Sequence, residues 1–284
     1  MEYEKIKSIL KIILALNWLV AFAKIFLGLY LGALSIFSDG LHSLFDGVSN
    51  IIGLLGIKLA EKPIDKDHPY GHQKYEAVAS LGILFLLTIV AYEVSKSIIS
   101  KLFHPEAIYV DWLVFGTLMM CLIIDGLVAR YECRKGVELK SVILRADASH
   151  TKSHYITTGA VILGMLLMKL GLPSIIDPII AVLVVGFIIR LGYAIFKETT
   201  GILSDKALVN EETIRQIAEG FETVKSCRYI RTRGDERHIF MDFCITFDKD
   251  ISLAEAHKIC DQVEEKIKAS IPEVKDIIIH IEPH

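Results

Sequence analysis

Six apolar runs, each long enough to cross a bilayer, constrain this chain before any other feature does. They fall at residues 9–31, 33–59, 77–99, 110–131, 141–170 and 175–196. About 20 apolar residues span the hydrocarbon layer as a helix, and a backbone in lipid must satisfy its own hydrogen bonds. Six membrane helices are therefore expected. With 52% of 284 residues hydrophobic and a mean hydropathy of +0.47, an ordinary soluble protein is excluded. Charge density then rises: the last 80 residues carry 17 acidic and 12 basic groups. We expect two domains, 1–204 in the membrane and 205–284 soluble and acidic. Nothing is basic enough to bind nucleic acid.

Lysine and arginine set the orientation. Lys5 and Lys7, then Lys62, Lys66 and Lys74, then Arg134, Lys135 and Lys140 flank alternate sides of the runs, while the opposite loops hold only Lys101 and Lys169. Both termini are expected in the cytoplasm, in a multi-pass protein embedded in plasma (inner) membrane lipid. Lys11, Lys24, Glu93 and Arg190 read as snorkelling or as near helix ends; Asp125 lies deep in its run and needs a partner. The first run is too long for a cleavable signal. The five cysteines show no paired spacing, which suits a reduced, cytoplasmic tail.

In the tail, 211–220 reads as a helix and 227–233 and 239–247 as strands joined at Gly234 and Asp235. Ser252 with Glu255 forms a capping box opening a helix over 253–269, and 274–281 is a closing strand. The order α-β-β-α-β predicts a small α+β sandwich with one antiparallel sheet.

Three constellations carry chemistry. The first is an echo inside the apolar runs: DGLHSLFD (Asp39, His42, Asp46) and DASHTKSH (Asp147, His150, His154). Spacings of 3 and 4 put each set on one helix face. His42, Asp46, His150 and His154 could form a four-ligand site suited to zinc, cobalt, nickel or iron(II); the alternative is hydrogen bonding between helices. Asp39 and Asp147, about a turn away, either orient the imidazoles as acceptors or mark a wet approach. A metalloprotease needs Glu beside the first His of HTKSH, and Thr151 stands there instead. The second constellation is PIDKDHPYGHQKYE, where Asp65, His68 and His72 make a three-ligand zinc site or simply a solvated loop. The third is Cys244, His257, His280 and Glu282 in the tail, which either converge at one edge of the sandwich or are scattered.

These residues resemble the cation diffusion facilitator family of divalent-metal/proton antiporters. The resemblance rests on SIFSDGLHSLFDG, KPIDKDHPYGHQKYE, ADASHTKS, IIDP, RTRG, EAHKICDQVE and IIIHIEP, which cover nearly the whole chain in order. It implies a six-helix transport domain, a ferredoxin-like cytoplasmic domain and a homodimer. It also implies efflux of zinc, or of cobalt, nickel or iron, from the cytosol in exchange for H+, by a secondary transporter rather than an enzyme. Carried over, the transport site is His42, Asp46, His150 and His154; the family usually has Asp at the last position, and the extra imidazole disfavours manganese. The loop site is Asp65, His68 and His72. Regulatory metal falls to Cys244, His257, His280 and Glu282, with Arg228 where a histidine is usual and Cys227 or His284 as substitutes. Lys74 and Asp205 resemble positions that pair across domains. The rival reading is a membrane metal sensor or storage protein that binds without transporting.

Overall fold

The computed structural model describes residues 2–31, 34–103, 112–170 and 176–284. Six long helices come first: α1 (Glu2–Leu31), α2 (Leu34–Ala60), α3 (Lys74–Phe103), α4 (Trp112–Glu138), α5 (Val142–Lys169) and α6 (Ile176–Leu203). Three stretches among the described residues, Glu2–Phe26, Lys74–Lys96 and Ile179–Leu203, are long and apolar enough to cross a membrane. Large apolar side chains point outward, among them Leu19, Phe22, Phe26, Phe85, Leu183 and Ile189. On a water-soluble protein such a surface would be an aggregation hazard; against lipid it is the required one.

The chain divides into two compact units, residues 1–199 and 200–284. In the first, α2 packs on α1, α3 and α5, and α4 packs on α5. An apolar core of Ile6, Leu10, Ile57, Ile83, Ile143 and Leu144 closes one end. At Gly56 of α2 the helices approach so closely that a Cβ would lie 2.2 Å from that of Ala79 on α3. Between these apolar contacts runs an unusual set of buried polar residues: Lys24, Ser49, Asn50, Glu76, Glu132, Ser141, Asp147, His150 and Ser153. Polar groups at such depth need partners.

Two links satisfy several of them. Asn17 of α1 donates to Asn50 of α2 (Nδ2 to Oδ1, 3.0 Å), and Asn50 donates to Asp147 of α5 (Nδ2 to Oδ2, 2.5 Å). Further along, Ser141 precedes α5, and its Oγ accepts from the Leu144 amide at 3.3 Å. The same hydroxyl donates to Glu76 Oε1 of α3 (2.6 Å), which also accepts from the Ile143 amide (3.3 Å). A carboxyl group from α3 therefore caps the N-terminus of α5, where helix amides lack intrahelical acceptors and the helix dipole favours an anion.

The second unit holds α7 (Glu211–Glu219), β1 (Val224–Gly234), β2 (Ile239–Phe247), α8 (Leu253–Ser270) and β3 (Val274–Pro283). Asn210 caps α7 and Ser252 caps α8, accepting from the Glu255 amide as the capping box predicts. The sheet order is β1-β2-β3, with β1 and β2 antiparallel but β2 and β3 parallel. This corrects the expected all-antiparallel sheet. β2 and β3 are joined through α8, and a helical crossover returns the chain in the same direction, whereas the short β1–β2 turn reverses it. Both helices cover one face, where Met241, Phe243, Ile245 and Phe247 meet Ile214, Ile259, Val263 and Ile267.

The Glu76 cap yields a stability prediction. Glu76→Ala would leave the Ser141 hydroxyl and the Ile143 amide without their acceptor, costing about 2–3 kcal/mol. Glu76→Gln, which keeps an acceptor oxygen, should lose clearly less. Thermal unfolding in detergent measures both, and an unchanged midpoint for the alanine variant would contradict the assignment.

Candidate metal centres

In the helical unit, the sequence echo on α5 becomes a pair of adjacent imidazoles. His150 and His154 are one turn apart, with ring centroids 4.8 Å apart and edge-on. They line a cavity of about 30 Å³ together with Asn17, Val20 and Lys24 of α1, Ser43 and Ser49 of α2, and Asp125 and Thr151. A space of this size takes a water molecule or a small ion, not an organic ligand. His42 and Asp46 stand one turn apart on α2; their side chains, like that of Asp39, lie outside the described residues. Asp147 is fully buried beside this cavity and is held by Asn50. Glu132 of α4, also fully buried, stands next to Asp147 and Thr151.

Two cavity residues correct the reading of the apolar runs. Lys24 does not snorkel: it is 6% exposed, and its Nζ donates to Ser43 Oγ at 2.7 Å. Asp125, deep in its apolar run, faces the same cavity as the histidines. Sequence reasoning missed Asn17, Asn50, Lys24, Glu132 and Glu76. A signal existed for the first three: Asn17 and Lys24 are seven apart and so share a helix face, and Asn50 follows Asp46 by four.

The loop between α2 and α3 brings its three candidates together. Asp65, His68 and His72 each offer a ligand atom, all within 4.8 Å of one another, the one such group among the described residues. Asp65 Oδ1 accepts from the amides of Asp67 (3.0 Å) and His68 (2.7 Å), forming an Asx turn. His68 Nδ1 lies 3.2 Å from Asp65 Oδ1 and His72 Nε2 lies 3.3 Å from Asp65 Oδ2. Zinc bonds of about 2.0–2.1 Å at tetrahedral angles separate ligand atoms by about 3.3 Å, so both spacings suit a shared ion. His72 is 5% exposed, and its other nitrogen, Nδ1, is buried without a hydrogen-bond partner. The tight approach of two histidines outside a helix depends on Gly71, whose φ of +89° is left-handed. A Cβ there would also sit 2.6 Å from Gln73 Oε1. The His68 amide above all, against a smaller opposing effect of burial, and then the two imidazoles hold Asp65 below the usual carboxylate range.

In the sheet unit, the register places Cys244 on β2 opposite His280 on β3 and Arg228 on β1. These residues and Glu282 occupy the face that α7 and α8 leave open. Cys244 is 4% exposed. Burial, then the hydrogen bond and charge of Glu282, push its thiol up to about 11. His280 Nε2 lies 3.5 Å from Glu282 Oε1. His257 is on α8, against the other face, exposed and 3.3 Å from Asp261. Within one chain it does not meet the other three. Cys227 and Cys260 belong to the apolar core. Lys74 opens α3, and Asp205 follows α6 with a left-handed φ of 56°.

A helical unit with histidines on a small polar cavity, a carboxylate–imidazole loop and a small α+β unit point to a membrane protein that handles metal cations. Comparison with known proteins makes this specific. Residues 10–204 match the cation efflux transmembrane domain and residues 208–284 match the cation efflux protein cytoplasmic domain. The chain belongs to the cation diffusion facilitator family, whose members are metal-cation transporters rather than enzymes. MJ0449 of Methanocaldococcus jannaschii, named an uncharacterized transporter, is 30% identical over 268 residues, covering 94% of each chain. The manganese efflux system protein MneP of Bacillus subtilis is 25% identical over 293 residues, covering 100% of this chain and 98% of its own. A crystal structure of the cytosolic domain of a cation diffusion facilitator family protein is 24% identical, covers 25% of this chain and 86% of that one, and has a TM-score of 0.24.

Because Asp65 is held in its ionised form, zinc bound at the loop is expected to displace protons only from imidazole. Calorimetry in buffers of different ionisation enthalpy counts them. Asp65→Ala should weaken zinc and change the proton count by clearly less than one between about pH 5.5 and 7, since the carboxylate itself releases no proton. A count lower by one in the variant would show that Asp65 enters the reaction protonated.

Proposed function

We propose that the chain is a secondary transporter that moves divalent transition-metal cations, zinc foremost, out of the cytosol in exchange for protons. The observation that carries this reading is the pair His150 and His154 on a small, ion-sized cavity within the helical unit. In the proposed site, His42 and Asp46 of α2 complete four ligands, and Asp39 and Asp147 support them. Domains 1–204 and 205–284, six membrane spans, cytoplasmic termini and a place in the plasma membrane follow from the apolar runs and the lysine–arginine asymmetry. Cobalt, nickel and iron are secondary cargoes. The relative named for manganese efflux makes that ion the competitor to test. Three imidazoles with one carboxylate favour ions that prefer nitrogen over manganese, which prefers oxygen.

Exchange follows from ligand chemistry. Metal binds neutral imidazole and ionised carboxylate, so protons and metal compete for the same atoms. Protons arriving from outside release the metal if the two loaded states prefer different helix arrangements. Regulation is assigned to the loop triad and to Cys244, His280 and Glu282. His257 would join them from the second protomer of a homodimer, and Lys74 with Asp205 would pair across domains. The rival reading, a sensor or storage protein, predicts saturable binding without flux.

The test is uptake into proteoliposomes across a metal panel at several pH values. Zinc should accumulate when a pH gradient is imposed, and Asp46→Ala should abolish accumulation. His154→Asp should raise manganese transport relative to zinc and flatten the pH dependence. Saturable binding with no gradient-driven flux would support the rival, and unchanged selectivity in the His154 variant would remove that residue from the selectivity argument.

A further inference from the structure

A second cavity, of about 910 Å³, lies between α4, α5 and α6, and its charge is of the wrong sign for the cargo. Arg130 and Arg134 of α4 and Lys152 of α5 line it, all three exposed. Arg145 lines it too but is ion-paired with Glu198 of α6. Arg134 lies near enough to Glu138, at the end of α4, for the two charges to interact. The Lys152 ammonium stands 5.4 Å from the centre of the Phe187 ring, a contact that steadies a cation without neutralising it. The rest of the wall is mostly apolar, with Ser149 and Tyr155 its polar members, and includes Leu191 and Ile195 of α6.

The lining is net positive even with Glu198 in it and Glu138 near Arg134, so it repels a divalent metal and is not the cargo's route. The position of the cations is informative: α4 ends at Glu138 and α5 begins at Val142. At about 1.5 Å per residue, all these groups fall within about 15 Å of those helix ends. Long basic side chains there reach the depth of lipid headgroups. The volume and the apolar wall far exceed what an inorganic anion needs. The positive lining also disfavours a second copy of the same charged face.

We propose that this cavity binds an anionic phospholipid, its phosphate held by Arg130, Arg134 and Lys152 and its acyl chains lying along α6. The ligand class is set by one anionic head against three cations and an apolar body against an apolar wall. The proposal is independent of which metal is carried.

The test uses the full chain purified in detergent and delipidated, then offered phosphatidylglycerol or phosphatidylcholine with the same acyl chains. Native mass spectrometry should show phosphatidylglycerol retained with at least about 10-fold preference. Arg130→Gln with Arg134→Gln should remove most of that preference, whereas Lys58→Gln with Lys62→Gln should not. A second readout needs no substitution. Cys133 is exposed and lines the cavity, while Cys121, Cys227, Cys244 and Cys260 are buried. Phosphatidylglycerol should slow maleimide labelling of Cys133 several-fold. The proposal is overturned by equal retention of both lipids, by equal loss in the lysine control, by equal protection of Cys133 from inorganic phosphate, or by efficient Cys133 cross-linking between two copies in a bilayer.

Discussion

The hydrogen bond from Asn50 to Asp147 is the contact on which the proposed transport site depends. A four-ligand ion site built from two helices requires that both keep one register, and van der Waals contact between apolar helices in lipid does not specify register well. The Asn17–Asn50–Asp147 relay does, because it ties α1, α2 and α5 through directional bonds. It lies one turn from His150, so any slip of α5 against α2 would break the relay before it moved the imidazole far. Lys24, bonded to Ser43 in the wall of the same cavity, places a fixed cation near the histidines, and Asp125 offsets it from α4. Electrostatics at this site therefore includes two charges besides those of the ligands.

A second constraint acts at the N-terminus of α5, one to two turns before Asp147. Glu76 caps that helix, and it sits four residues after His72, whose carbonyl accepts from the Tyr75 amide at the start of α3. The loop triad and the helix carrying His150 and His154 thus share a short, hydrogen-bonded segment of α3. Rigid elements with defined partners are the physical means by which one site can bias another.

Sequence reasoning reached the spacing of His150 and His154 because a helix repeats every 3.6 residues and the spacing fixes a shared face. The loop triad was legible for a different reason: Pro63, Pro69 and Gly71 bracket Asp65, His68 and His72 within so few residues that they have little room to separate. Ser252 and Glu255 announced α8. What could not be read were partners distant in sequence. Glu76 and Ser141 are 65 residues apart, and Asn50 and Asp147 are 97 apart, and nothing local in either segment names the other. The direction of β3 was misjudged because strand patterning reports which face is buried, not which way the strand runs. Lys24 was misread as snorkelling since a lone lysine in an apolar run looks the same whether it turns to the headgroups or to a cavity.

The central claim is that three imidazoles and one carboxylate hold the metal within the helical unit. X-ray absorption at the zinc edge tests it most directly, on the full chain loaded with zinc after Asp65→Ala, His68→Ala and Cys244→Ser have silenced the loop and tail. The account predicts one retained zinc ion with a four-atom shell dominated by nitrogen at about 2.0–2.1 Å. A six-oxygen shell, a sulfur at about 2.3 Å, or no retained zinc would contradict it.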